Sequence, residues 1–558
     1  MRTRLMTTLV MAVSLLVSGQ AFAQLPTFQS GQVLTADQLN AIVRQVNRNA
    51  NAAGGNGGGA THTVDCSSGT IADAMSQAQP GDTIMITGTC NEAVVVDKDG
   101  ITLDGGGSAV IDGSGIDAAV ISVNGHQNVT IKGLTVQNGL SGIRLVESAA
   151  AWLVDVTAQG SRSKSGYESG SGIAVATSSF LGLTGTIVVK DNAQSGLWAG
   201  QSSSVVVFGN FVIQGNKLPT ASLQVTGNGS VGIDVVGAGL FAHSASGDYT
   251  TIHATNNTYA GVRGSEGATI LLWSGTNIEA TGNGGAGLEV GNSSSAAFYG
   301  WGAVSRRVTG VFNSNGWSGI AVWGNSSLNV WDDGVAVNIT STNNSGSGLG
   351  ISDGSAASLN SPASEPSSKL VFSNNGWDGI SVDNTATLYS KLPSEIKNNA
   401  YEGVDAWGSS NVGLEAATVT DNTGYGIEAN TNSSIWLTTS RVANNNGGDG
   451  IQVGNNSTVH IYDTDVTGNA GNGIGVYNHS FVQSYRGVGP SITGNGGHGL
   501  NIWNGSSVQL DNATVTGNSK ADVTASFGSR FIFEGNSTLG TIYCDDSVLS
   551  AGDAVCPE

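Results

Sequence analysis

Residues 422–476, NTGYGIEANTNSSIWLTTSRVANNNGGDGIQVGNNSTVHIYDTDVTGNAGNGIGV, decide the fold. They contain three passes of one pattern: Asn, three variable residues, Gly, then an aliphatic residue. The passes begin at Asn422, Asn446 and Asn469 and reach glycine at Gly426, Gly450 and Gly473. After each glycine the chain alternates, as in Ile451-Gln452-Val453, turns through Gly, Asn and Ser, and alternates again over Thr458–Tyr462. Period-2 runs of this length between turns are short strands with one buried face. One such strand cannot bury its apolar side alone, so the units must stack on one another.

Followed outward, the pattern places glycine at 142, 172, 196, 232, 261, 287, 319, 348, 379, 403, 426, 450, 473 and 499, spaced 23 to 36 residues apart. Asparagine stands four residues earlier in all but one of these, Gly172, where Glu168 takes its place. No unit carries a helical stripe long enough to cover a flat parallel sheet. The expected fold is therefore all-β: a single parallel β-solenoid with one repeat per coil, each ~4.8 Å above the last. Its repeated residues have structural tasks. Glycine serves a positive φ or a close backbone approach at the corner, and asparagine amides in register form a hydrogen-bonded ladder along the axis.

Composition agrees. Of 558 residues 83 are glycine and only 8 proline, while charged residues make up 11% against the ~25% of ordinary domains. With 39% hydrophobic residues the chain is too apolar for a disordered polyelectrolyte, and its glycines lack the collagen period. A net charge of −20 argues against a nucleic-acid backbone or an anionic lipid surface as partner.

The N-terminus reads as a secretory signal over residues 1–23: Arg2 and Arg4, an apolar run from Leu9 to Val17, and Ala21-Phe22-Ala23 as the cleavage site. No later run is long enough to span a bilayer as a helix, so the expected address is extracellular, cell-surface or periplasmic. Within residues 24–50, Leu39, Ile42, Val43 and Val46 form the apolar stripe of a short helix. Such a helix is unstable alone, so residues 35–50 are expected to pack on the solenoid or on sister chains as a homo-oligomer. Residues 51–61 form a glycine-rich linker, 62–540 the solenoid, and 541–558 a terminal cap. Cys66, Cys90, Cys544 and Cys556 allow three disulfide pairings in an oxidising compartment. Local pairing is expected, Cys66 with Cys90 and Cys544 with Cys556, each stapling one end. The spacings lack the close C-x-x-C of a zinc site.

Residues 70–115, TIADAMSQAQPGDTIMITGTCNEAVVVDKDGITLDGGGSAVIDGSG, resemble the opening of pectate-lyase-like right-handed parallel β-helix proteins. The resemblance implies an N-terminal capping helix at Ile71 to Ala78, then Pro80-Gly81-Asp82 and the strand Thr83–Ile86 starting the first coil. It speaks for the fold, which hosts lyases, hydrolases, epimerases and adhesins alike. The segment SGQVLTADQLNAIVRQVN resembles short helices near the joints of phage tail-fibre-like proteins, which implies self-association.

No enzyme motif of that fold is complete. Gly497-His498-Gly499 and Asp332-Asp333 match parts of the polygalacturonase-like set but lie about six repeats apart, without the Asn-Thr-Asp or Arg-Ile-Lys that should accompany them. The Asp-Pro-His of alginate epimerases and the calcium nonapeptides are absent. Repeat register finds a better candidate. Asp378, Glu402, Tyr425 and Asp449 precede successive repeat glycines, and Ser381, Asp405, Glu428 and Gln452 follow them by two. Asp378 with Glu402, and Asp405 with Glu428, are thus expected on adjacent rungs of an outer face, ~5 Å apart, where like charges push pKa values apart. Trp317, Trp323, Trp377, Tyr401, Trp407 and Tyr425 stand nearby as sugar-stacking candidates. No cofactor is implied, although the carboxylates could hold Ca²⁺. Lys132, Arg144, Arg162 and Lys164 form a basic group in the early coils that a lyase would need. The reading is a non-catalytic, exported polysaccharide-binding protein. Its alternatives are a polysaccharide lyase or glycoside hydrolase using Asp378, Glu402, Asp405 and Glu428, and a structural fibre or appendage component.

Overall fold

The computed structural model describes residues 59–552, apart from 166–169, 210–211, 214–215, 218, 245–247, 302–305, 363–366, 444–445 and 485–486, together with Cys556. The signal segment, the 24–50 helix, its proposed oligomer contacts and most of the 51–61 linker fall outside the described residues. Two compact units are present. One comprises the described part of 1–193 with 199–223 and 245–248; the other comprises 194–198, 224–244 and 249–558.

The first unit opens with strand Thr61–Asp65, paired in parallel with Thr83–Thr87. Between them runs the helix Ile71–Gln77, which buries Ile71, Ala74 and Met75. Its first turn is capped twice. The Thr70 hydroxyl accepts from the Asp73 amide at 3.1 Å, and the Glu92 carboxylate accepts from the Ile71 and Ala72 amides at 2.8 and 3.1 Å. The Cys66–Cys90 disulfide ties this end, and Cys544–Cys556 ties the last coil of the other unit. Long strands Thr102–Asp112, Val129–Gln137, Ala150–Gln159 and Phe180–Lys190 then stack in parallel.

The second unit has three strands per coil. One coil is Ile427–Ala429, Ser434–Thr438 and Arg441–Ala443; the next is Ile451–Val453, Thr458–Tyr462 and Asp465–Thr467. Each strand pairs in parallel with its successor one coil on, with unbroken register across these coils. The inward aliphatics Leu288, Ile320, Leu349, Ile380, Val404, Ile427, Ile451, Ile474 and Leu500 are all buried in one stack. The ladder runs beyond residue 540 through Ile542–Cys544 and Leu549–Gly552.

The asparagines form the expected ladder and saturate it. Asn422 Nδ2 donates to Asn446 Oδ1 at 3.0 Å and back to the Ile396 carbonyl at 3.3 Å. Its Oδ1 accepts from Asn399 Nδ2 at 2.9 Å and from the Asn399 amide at 3.1 Å. The Nδ2-to-Oδ1 chain continues from Asn228 through 257, 283, 315, 344, 375, 399, 422, 446, 469 and 495 to Asn518. There Asp522, standing where the next repeat glycine would be, receives the last amide at 2.9 Å. A second ladder, not apparent in the sequence, runs through serines: the Ser433 amide donates to Ser457 Oγ at 3.1 Å and the Ser457 amide to Ser480 Oγ at 3.2 Å.

Of the two tasks open to the repeat glycine, close approach is the one it performs. None of the fourteen has a positive φ. At Gly426 a Cβ would fall 2.5 Å from the Gly450 carbonyl oxygen and 2.9 Å from Asn446 Nδ2. The left-handed corners belong instead to short polar residues such as Asn455 and Asn456, at φ 54° and 61°, where a side chain that bonds locally tolerates that region.

Candidate functional site

On the strand that follows each repeat glycine, the central side chain points outward. Along this row Ser381, Asp405, Glu428 and Gln452 are successive register partners. The coil of residues 401–407 then sets Tyr401 and Glu402 at the preceding turn, Asp405 on the strand and Trp407 at its far end. A carboxylate row is thereby flanked on both sides by aromatic rings. Trp377 and Tyr401 are each 57% exposed on the turn side, and Trp407 is 46% exposed on the other. Turn residues follow the same stacking, the Trp377 amide donating to the Gly346 carbonyl and the Gly424 amide to that of Tyr401.

The carboxylates differ in surroundings. Asp378 is 7% exposed, so it lies beneath the surface and not on the outer face with Glu402. The turn folds it inward, where its Oδ1 accepts the Glu402 amide at 3.1 Å. Burial, then the hydrogen-bonded and charged Glu402 beside it, pushes Asp378 up to about 8. Asp405 is also pushed up to about 8, first by burial and then by Asp378, Glu428, Asp383 and Glu402. Glu428 is raised by burial, opposed by donors from Asn430 at 2.9 Å and Gln452 at 3.0 Å. At neutral pH Asp378 and Asp405 thus mostly hold a proton.

Two groups complete it that sequence reasoning left out, Asp383 and Tyr477. Asp383 accepts from Ser381 Oγ at 2.7 Å and is raised by burial. Further along, Asp449 Oδ2 accepts from Tyr477 OH at 3.3 Å, and Asn501 Nδ2 donates to the same phenol at 3.1 Å. Asp449 shares the register of Asp378 and Glu402, where the repeat spacing places it. Tyr477 stands four residues after its repeat glycine, the place held by Trp407 and Trp503 in their coils, and was open to the same counting. The structure gathers Asp378, Glu402, Asp405, Glu428, Trp377, Tyr401, Trp407 and Tyr425 in neighbouring coils. Trp317 and Trp323 sit two coils earlier, and the Trp323 indole donates to Glu289 Oε1 at 3.3 Å. Among the described residues, no three His, Cys, Asp or Glu side chains converge closely enough to hold a metal ion.

Other sequence candidates have structural partners. Lys132 pairs with Asp104 at 2.8 Å and Lys164 with Asp117 at 2.5 Å, while Arg162 donates to the carbonyls of Asn138 and Ile116. Arg144 lies in register between Ser122 and Ala174. Asp332 is buried and accepts from Ser367 and Ser368. His498 Nδ1 accepts the Ala521 amide at 3.2 Å.

Residues 364–519 match the family described as the right handed beta helix region, so the likeness drawn from residues 70–115 holds at the level of the fold. No curated protein matches the chain in sequence. Among solved structures, the A-module of mannuronan C-5 epimerase AlgE4 of Azotobacter vinelandii is similar at 12% identity and a TM-score of 0.28, over 80% of this chain and 92% of that one. The AlgE6 A-module from the same organism is similar at 13% identity and a TM-score of 0.23, over 86% and 93%. Likenesses at these values say nothing about what this chain does. No described helix is long and apolar enough to cross a membrane.

Proposed function

We propose that the chain is an exported protein that binds extracellular or cell-surface polysaccharide along the ledge centred on Asp405. The observation that carries this reading is the exposure of Trp377, Tyr401 and Trp407 on either side of a row of carboxyl groups. Flat rings offer apolar area to the C–H face of a pyranose, and carboxyl oxygens meet its hydroxyls. Two disulfides suit an oxidising compartment.

The test is affinity electrophoresis of the full chain against neutral and uronic-acid polysaccharides. Trp377→Ala is expected to weaken retention by about 2 kcal/mol, roughly thirtyfold in Kd. Unchanged retention in that variant overturns the site, and absence of retention across the panel overturns the function.

One feature favours a second reading, glycoside hydrolysis. Asp405, pushed up to about 8, neighbours Glu428 one coil on. In a hydrolase Asp405 would protonate the leaving oxygen while Glu428 attacked the anomeric carbon or activated water. New reducing ends from the same incubations, abolished by Asp405→Asn, would select this reading. Reducing ends together with absorbance near 235 nm would instead indicate eliminative cleavage.

A further inference from the structure

A different face of the same coils carries a second aromatic feature. On the middle strand of each coil, Tyr389, Gly413, Trp436, His460 and Gln483 are successive register partners pointing outward. Gly413 leaves a gap into which Tyr389 leans: a Cβ there would lie 2.8 Å from Tyr389 Cδ2. Trp436 stands on the following coil, 58% exposed, with the His460 ring edge-on behind it at 5.3 Å between centroids. His460 is itself held by Gln483, whose Nε2 lies 2.8 Å from Nδ1. Tyr389, Trp436, His460 and Tyr462, with Glu415 and Thr438, enclose an open groove of about 390 Å³, within the range of small-ligand sites.

The groove is polar at its edge and close to neutral in charge. Glu415 Oε1 accepts from Tyr389 OH at 2.9 Å, and Lys391 lies 4.0 Å from the same carboxylate and 5.9 Å from the centre of the Tyr389 ring. With its one lining carboxylate matched by a lysine, it offers no net field for a polyanion. Two rings and a few fixed hydrogen-bonding groups suit an uncharged ring with one apolar face and hydroxyls around its rim.

We infer that the Tyr389–Trp436 strip is a second glycan site, taking pyranose residues of a neutral polysaccharide on a face separate from the Asp405 ledge. The ligand class rests on the polysaccharide reading above; the site does not. Two sites on two faces let one molecule hold two polysaccharide strands.

The test uses the full chain and three neutral probes: mixed-linkage β-glucan, xylan and mannan. Binding is read by affinity electrophoresis and by change in tryptophan fluorescence. Trp436→Ala is expected to lose about tenfold in affinity for whichever probe the parent retains. Trp436→Phe should recover part of that loss, and circular dichroism should be unchanged in both. Parent protein that binds none of the three, or Trp436→Ala that binds like the parent, overturns the strip. Trp377→Ala is run beside it and reports on the ledge alone. Loss in Trp436→Ala with no loss in Trp377→Ala upholds the strip and removes the ledge, and the reverse upholds the ledge and removes the strip.

Discussion

Asn422→Ala is expected to destabilise the coils around it by about 4 kcal/mol, since each buried polar group left unpaired costs ~1–3 kcal/mol. The substitution strands three such groups at once. Asn399 loses the acceptor of its backbone amide and of one Nδ2 hydrogen, and the Ile396 carbonyl loses its donor. Asn446 Oδ1 keeps the backbone amide of residue 422 and is partly spared. Asn422→Asp should be no milder, because a carboxylate cannot donate onward to Asn446 and would be an ion buried among amides. Urea unfolding of the full chain followed by circular dichroism, with limited proteolysis to locate the opened coils, gives the measurement. A midpoint loss below about 1 kcal/mol would mean that the ladder is not a main support of the stack.

Stability should also fall as pH rises from about 4 to 8. Asp378 and Asp405 have folded-state values near 8, far above the ~3.9 of an unfolded aspartate. Between those values the folded chain binds more protons than the unfolded one, so stability decreases with pH. The contribution is complete below pH 4 and gone once pH passes 8. Four pH units at ~1.4 kcal/mol each set a ceiling near 6 kcal/mol for one carboxyl. Because the charge of Asp378 acts on Asp405 their losses do not add, and about 4 kcal/mol in total is expected. At the acid end the sign reverses. Asp112, held down to about 2 against burial by hydrogen bonds from Ser114, Gln137 and Asn138, contributes stability that is lost as pH falls toward that value. Asp522, lowered by donors from Asn518 and Thr541 that outweigh its burial, acts in the same sense. Melting curves from pH 3 to 9 should therefore peak near pH 4–5. In Asp405→Asn the alkaline limb should flatten; an unchanged limb would show that the ledge does not hold its protons.

The fold was legible because its unit is written many times over. Asn422, Gly426 and Ile427 each state a rule that Asn446, Gly450 and Ile451 restate, and repetition averages away local ambiguity. The pairing of Asp405 with Glu428 followed from the same counting. What counting could not give was depth. Asp378 and Glu402 share a register position, yet the turn buries the first and leaves the second nearer the surface. Nor did it favour the Tyr389–Trp436 strip, whose meaning depends on Gly413, a gap that no composition rule distinguishes from the other glycines. The serine ladder was hidden because serine is also the ordinary residue of exposed turns.

The asparagine ladder has a direction. Every side-chain amide donates toward the C-terminal end, so its dipoles add head to tail, as peptide units do in an α-helix. The row is electrically positive where it stops, and Asp522 places a carboxylate at that terminus. Because this cap is held by the final asparagine and by Thr541 beyond it, and by no interior asparagine, an interior Asn-x-x-x-Gly unit can be duplicated or lost without uncovering the charged end. The number of coils is thus free to vary in descent while the stopper stays fixed.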